Sequence, residues 1–577
     1  MKILGMLSIL ALLLGTTAAV AEPLRQVRLD GPNAPELAME LDRAGFDVLP
    51  RSVTAGSLEL IASAAELDQL VAMGLVPVTV AVGRPFAEIQ AELVRAESEA
   101  GAAVVVPPGY LNLGQIQASL AATAAAHPSI AMLVDLTAFY DTPPTVEGRH
   151  LYALKISDQV AQDEDEPAFL VVGDHHAREI VTPVIALNAI DELVTGYGAD
   201  PAVTALVDAN EIWIAPVWNP DGYEHVFNVD NLWRKNRRVF AGGIGVDLNR
   251  NYPQGWSNPC GGSTVPSNQT YRGPSAASEA ETQTLLTWSR DVRFAKVIDY
   301  HSYGRELLYG YACWNHPFDA YMLAEATQIS AASGYGGSTR GPSADGEHYQ
   351  WQFALMGAYA FLAETHIDFQ PTYASAQTEA ALLWPGILWM LDRPTPLWGH
   401  VTDAVTGAPV AATIRYEGIT FQNGETNASG GPFGRYHAFL PAGTYGLRFE
   451  AEGYQTLVVP GVQVASSTST MLDVELTPTT VAIVSDAAAG GGAILDAAWR
   501  SPVLQYGVGR PAHVTLRIVD VRGAVIATLV DEEQEPGRYA VPWTGRNDGG
   551  RRVARGSYFY RLEAGASVAS GKILLAE

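Results

Sequence analysis

Residues 168–173 read Ala-Phe-Leu-Val-Val-Gly, a continuous apolar run, and lead into a segment with Val184, Leu187, Ile190 and Val194 on one helical face. A strand that is apolar on both sides of its pleat has to be buried on both faces, which requires helices above and below a parallel or mixed sheet. Apolar runs at 212–217, 294–300 and 358–363 repeat the pattern between helical stretches. This alternation predicts one large α/β domain over residues 109–394.

The flanks read differently. Lys2, the apolar run of residues 3–14 and Ala19-Val20-Ala21 form a secretory leader over residues 1–21, too short to span a bilayer. Residues 27–29, 35–44 and 46–49 give strand, helix, strand, and residues 58–62, 65–73 and 76–82 repeat that order. Gly45 and Gly74 stand where the helices end. This predicts an α+β module, followed by a charged helix over 86–100 and a connector at 104–108 (Val-Val-Val-Pro-Pro), together spanning residues 22–108. After residue 394 the helical pattern stops. Short alternating strands predict one β-sandwich over residues 395–478 and a second β domain over 479–577. Neither holds a His, Cys or carboxylate cluster suited to catalysis, so the chemistry is expected in the middle domain.

Composition narrows the function. With 62 acidic and 36 basic residues the chain carries a formal charge of −26, which opposes binding to nucleic acid or to anionic membranes. No later segment is long and apolar enough to span a membrane. The expected location is secreted, periplasmic or at the cell surface. Export permits a bond between the two cysteines, Cys260 and Cys313, although their spacing does not show whether they meet.

The stretch Gly173-Asp174-His175-His176-Ala177-Arg178-Glu179 lies where a buried strand gives way to a helix, the place where open α/β sheets bind ligands. His176 and Glu179, three apart, can face one point across a helical turn. His301, which ends the run 295–300, is a third candidate, and His175 competes with its neighbour. Two imidazoles and one carboxylate leave Zn²⁺ a fourth position for water, the arrangement of catalytic zinc.

Further blocks follow in order: Thr145-Val146-Glu147-Gly148-Arg149, Asn219-Pro220-Asp221-Gly222-Tyr223, Trp233-Arg234-Lys235-Asn236-Arg237, Gly245-Val246-Asp247-Leu248-Asn249-Arg250-Asn251, His301-Ser302-Tyr303 and Glu364. With His176-Ala177-Arg178-Glu179 they give the middle domain a resemblance to zinc metallocarboxypeptidases of the carboxypeptidase A and T type. The resemblance implies a mixed eight-stranded-type sheet with flanking helices, one zinc ion on His176, Glu179 and His301, and Glu364 as general base. It also implies that Arg234 stabilises the oxyanion, and that Asn249, Arg250, Arg178 and Tyr303 bind the substrate. The partner is then a peptide or protein with a free C-terminus. Calcium binding among the surplus carboxylates is left open by the sequence.

The flanks extend the resemblance. Residues 22–108 are similar to a carboxypeptidase propeptide, which implies a zymogen opened by cutting at the connector. Residues 395–478 are similar to a transthyretin-like regulatory domain. Residues 479–577 resemble the immunoglobulin-like domain of flagellar hook-assembly proteins, which implies a contact with the cell surface or secretion system. One departure stands out: Gln350-Trp351-Gln352-Phe353 replaces the family's Asp-Trp-x-Tyr, and no tyrosine lies near 341–343, where the mobile substrate-closing residue falls. Neither Tyr335 nor Tyr349 is assigned that role, and neutral or apolar C-terminal residues are the default preference. Two other readings remain: an inactive binding protein acting through its β domains, which would typically lack a zinc ligand or the base, and a zinc amidase or deacylase, which would not need Arg250 and Asn249.

Overall fold

A computed structural model describes residues 22–99, 109–465, 467–479, 494–500, 503–554, 556–565 and 567–575. The leader at 1–21 and the connector at 104–108 lie outside the described residues.

The N-terminal module has the expected duplicated order: β1 (Arg25–Asp30), α1 (Ala34–Arg43), β2 (Asp47–Val48), β3 (Ser57–Ala62), α2 (Ala64–Ala72) and β4 (Val78–Val82), followed by α3 (Phe86–Glu99). The strands pair antiparallel in the order β2-β3-β1-β4. Ser63 opens α2 with a capping box: its hydroxyl accepts from the Glu66 amide and the Glu66 carboxylate accepts from the Ser63 amide.

The central domain runs α4 (Leu113–Ala126), β5 (Ala131–Asp135), α5 (Leu136–Phe139), β6 (Tyr152–Ile156), β7 (Ala168–Gly173), α6 (Val181–Gly196), α7 (Pro201–Val207), β8 (Glu211–Ala215) and α8 (Pro220–Asn228). It continues with β9 (Val239–Phe240), β10 (Gly243–Ile244), α9 (Ala280–Val292), β11 (Lys296–Ser302), β12 (Glu306–Leu308), α10 (Asp319–Ala332), β13 (Thr339–Arg340), α11 (His348–Trp351), β14 (Tyr359–Thr365) and α12 (Tyr373–Asp392). Eight strands form one mixed sheet in the order β13-β12-β14-β11-β7-β8-β6-β5. Its middle four, β14-β11-β7-β8, are parallel. Consecutive β7 residues serve opposite cores: Phe169 and Val171 pack with Ile185, Ile190 and Leu383, while Leu170 and Val172 pack with Trp218, Trp288 and Trp351. That double burial is what the apolar run at 168–173 requires.

Two β domains follow. The first has two four-stranded sheets around Val401, Ile414, Tyr436 and Phe449. The second has a three-stranded and a four-stranded sheet around Leu516, Trp543, Tyr558 and Tyr560. The first sits directly on the central domain. Arg293 donates to the carbonyls of Met356 and Ala428, and Glu425 accepts from Tyr311 Oη at 2.8 Å. Gly357, at φ 68°, lies so close beneath the His437 carbonyl that a Cβ would stand 2.1 Å from its oxygen. Cys260 and Cys313 are bonded, with Cα atoms 5.9 Å apart.

Candidate active site

The parallel strands deliver their C-terminal ends to one edge of the sheet. β7 leads into residues 174–179, β11 carries His301, and β14 carries Glu364 directly opposite His301 in register. His176 and Glu179 do not ride a helix, contrary to the expectation from their spacing. They sit in a tight turn ahead of α6, closed by the Glu179 amide donating to the His176 carbonyl at 3.0 Å. Thr182 fixes the turn by accepting from the Asp174 amide (2.9 Å) and donating to the Glu179 carbonyl (3.0 Å). β11 extends past residue 300, so His301 lies within the strand rather than just after it.

Three ligand atoms converge. His176 Nδ1 is 2.8 Å from Glu179 Oε1, and His301 Nδ1 is 3.0 Å from Glu179 Oε2 and 3.1 Å from His176 Nδ1. All three residues are buried. Burial alone would raise the Glu179 carboxyl, but the two imidazoles outweigh it and hold it low. Behind the donors, His176 Nε2 meets Asp247 Oδ1 at 3.1 Å and His301 Nε2 lies 3.4 Å from Asp299 Oδ1. Carboxylates placed this way orient ligating imidazoles so that each presents its free nitrogen. His175 points away, to Asp299 Oδ1 (3.0 Å) and Tyr252 Oη (2.8 Å), which removes it as a competing ligand. An asymmetric set of two imidazoles and one carboxylate fits zinc.

Glu364 stands beside this cluster, its Oε2 without a hydrogen-bond partner among the described residues. Burial pushes its carboxyl up to about 7, against the pull of Arg340 at 3.6 Å. Gly304 permits the close packing there, since a Cβ at that position would lie 2.8 Å from Glu364 Cβ. Arg234 is gripped by Asp247 Oδ2 through Nε (3.0 Å) and Nη2 (2.9 Å). Arg250 Nη1 donates to the Asn249 carbonyl and to Glu347 Oε1, both at 2.8 Å, while its Nε has no partner among the described residues. Asn249 Oδ1 accepts from the His348 amide at 2.8 Å. Arg178 lies 4.4 Å over the Phe369 ring, and Tyr303 packs edge-on against the same ring at 4.7 Å. All nine residues singled out in the sequence therefore gather at this edge of the sheet.

These observations agree with the match of residues 116–379 to the zinc carboxypeptidase family model. This segment, less than half of the chain, is similar to that family. Residues 396–477 match the carboxypeptidase regulatory-like domain, and residues 502–567 match the FlgD Ig-like domain. The chain is 32% identical over 270 residues to carboxypeptidase A2 of Rattus norvegicus, covering 44% of this chain and 62% of the relative. It is 32% identical over 237 residues to carboxypeptidase B of Homo sapiens, covering 38% and 55%. The chain thus spans between 55% and 62% of the length of these relatives. The crystal structure of carboxypeptidase A from Helicoverpa armigera shares the fold, with a TM-score of 0.52 at 22% identity, covering 64% of this chain and 96% of that one.

Several residues around this cluster escaped the sequence reading. Asp247 lay in a quoted block without a role, and nothing local marks Asp299 or Arg340, which the sheet brings in from elsewhere. Asp47 of the N-terminal module reaches the site too, 2.5 Å from Arg178 Nη1 and 3.9 Å from Arg234 Nη1. Tyr335 and Tyr349 are both committed to the core: Tyr335 Oη donates to Glu379 Oε1 (2.6 Å) and Tyr349 Oη to the Gly310 carbonyl (3.0 Å). Neither is placed to close over a substrate.

Proposed function

We propose that this protein is an exported zinc carboxypeptidase that hydrolyses the last peptide bond of peptides with a free C-terminus. The observation that carries the reading is the convergence of His176 Nδ1, Glu179 and His301 Nδ1 beside the unpartnered Oε2 of Glu364. Held by His176, Glu179 and His301, zinc supplies Lewis acidity toward the scissile carbonyl and lowers the pKa of a coordinated water toward about 7.

The chain's own groups do the rest. Glu364 Oε2 accepts the proton of the attacking water and returns it to the departing amine, and a carboxylate with a pKa near 7 suits both steps. Arg234, fixed by two hydrogen bonds to Asp247, presents its remaining guanidinium edge to the carbonyl oxygen as negative charge builds there. Arg250, with the Asn249 amide beside it, pairs with the terminal carboxylate of the substrate, and Arg178 and Tyr303 line the approach. A complete donor set and base argue against an inert binding protein, and the Arg250–Asn249 pair argues against an amidase or deacylase.

The N-terminal module acts in this reading as a cover. Asp47 occupies Arg178, Arg51 donates to the Gly304 carbonyl, and Asp42 sits within the fields of Arg250, Arg340 and Arg234. Asp47 thereby takes up Arg178, which lines the approach of the substrate, while Arg250 is paired with Glu347 of the central domain. Removal of the leader and a cut in residues 100–108 then release the active enzyme.

The test is hydrolysis of N-blocked dipeptides with free or amidated C-termini, alongside zinc content. A neutral amide cannot form the charge-assisted pair that a terminal carboxylate makes with Arg250, which costs roughly 2–5 kcal/mol, or about 30- to 4,000-fold in kcat/KM. Arg250→Ala should erase most of that difference by slowing the free acid. Equal rates on both substrates by the unaltered enzyme would replace this reading with an endopeptidase or amidase.

A further inference from the structure

A cavity of about 860 Å³ lies between the central domain and the first β domain. It opens at the N-terminal ends of β7 and β11, the sheet edge opposite the zinc carboxypeptidase site. Its walls include Leu206 of α7, Leu388 and Trp389 of α12, and Trp398 and Arg435 of the β domain, with Lys296 at the start of β11. That volume lies within the range of small-molecule sites, which are mostly apolar with a few polar groups.

Lys296 is the unusual group. It is 3% exposed, its Nζ donates to the Leu391 carbonyl at 2.5 Å, and no carboxylate lies within ion-pair distance of it among the described residues. A buried ammonium is ordinarily paired, because desolvation without a counter-charge is expensive. The same sheet supplies the contrast: buried Lys155 has Glu211 Oε1 at 2.5 Å. The other cations at the cavity are already held, Arg435 by Asp165 and Arg393 by Glu325 at 2.7 Å. One cation at the cavity wall therefore lacks an ion-pair partner among the described residues, with Asp392 acting on it only through its field.

We propose that this cavity is a binding site for a small amphipathic monocarboxylate, its carboxylate on the Lys296 ammonium and its apolar chain against Leu206, Leu388, Trp389 and Trp398. Asp165, held by Arg435, and Asp392 line the same cavity, and their repulsion is smaller for a singly charged head than for a phosphate dianion. Burial pushes the Lys296 amine down to about 7 against the pull of Asp392, and a bound carboxylate would favour its charged form further. The site is independent of the proposed peptidase chemistry.

Decanoate titrated calorimetrically into the full chain is the test, with decanol as the uncharged probe. Saturable one-to-one binding is expected, weakened roughly tenfold or more by Lys296→Met and by replacing decanoate with decanol. Leu206→Trp, which fills the chamber, should abolish it. His176→Ala should leave it unchanged, since a carboxylate captured at the zinc site would be lost there. Thermal unfolding of each variant reports whether it folds, and Leu206→Trp carries the test if Lys296→Met does not. The proposal is overturned if decanoate fails to bind, binds Lys296→Met or Leu206→Trp as tightly as the unaltered chain, or loses binding with His176→Ala.

Discussion

Replacing Asp47 with Asn tests whether the N-terminal module covers the site. Asp47 is 6% exposed, and its carboxylate lies 2.5 Å from Arg178, itself 1% exposed. Removing one partner of a buried ion pair costs about 3–5 kcal/mol. Asparagine keeps the volume and one acceptor, so the lower end applies. At ~1.4 kcal/mol per tenfold, about 3 kcal/mol weakens docking of the module roughly 100-fold. The assay compares hydrolysis of a blocked dipeptide by the uncut chain and by the same stock cut between residues 99 and 109. The uncut Asp47→Asn variant should gain activity toward that of the cut enzyme. After cutting and removal of the module, variant and unaltered enzyme should be equal, because Asp47 departs with it. An uncut, unaltered chain already as active as the cut one would refute the covering role, and so would an Asp47→Asn chain that stays as silent as its parent before cutting.

Three further outcomes follow from the geometry. Glu364→Gln should retain zinc while losing about 10²–10⁴-fold in turnover, whereas His176→Ala should lose both, as read by metal analysis and dipeptide hydrolysis. With the Glu364 carboxyl near 7, the base is protonated and idle at lower pH, so kcat/KM should fall below about pH 7. Arg340→Met removes the cation 3.6 Å away that favours the ionised form, so the midpoint of that limb should move upward in a pH–rate profile. The bond from Cys260 to Cys313 spans 53 residues, and loop-closure entropy for that length gives about 4 kcal/mol. A Cys260→Ser, Cys313→Ser variant should show a loss of that order in denaturant unfolding, and no loss would place the stability elsewhere.

Much of the candidate site was legible because its residues lie at or just beyond strand ends. The apolar run at 168–173 announces a strand buried on both faces, and such a strand delivers the residues after it to one edge of the sheet. His176, Glu179, His301 and Glu364 follow from that rule together with the family's motif order. The local conformation was less legible. A three-residue spacing suits a helical turn and a tight loop equally, and the hydrogen bonds from Thr182 select the loop.

The sequence by itself determined the layered α/β domain, its β-rich tail and the chemical identity of the donor set, because periodicity and residue type are local properties. Tertiary structure decided which imidazole faces Glu179. His175 and His176 are neighbours in sequence; the family motif favoured His176, and the placement of Asp299 and Tyr252 behind one and Asp247 behind the other gives the physical reason. It also decided that Asp47, 131 positions before Arg178, lies against it, and that Lys296 is buried at a domain junction without an ion-pair partner among the described residues. Such pairings depend on distances between segments far apart in the chain. Burial, which sets the strength and protonation of each charge, exists only once those segments have packed.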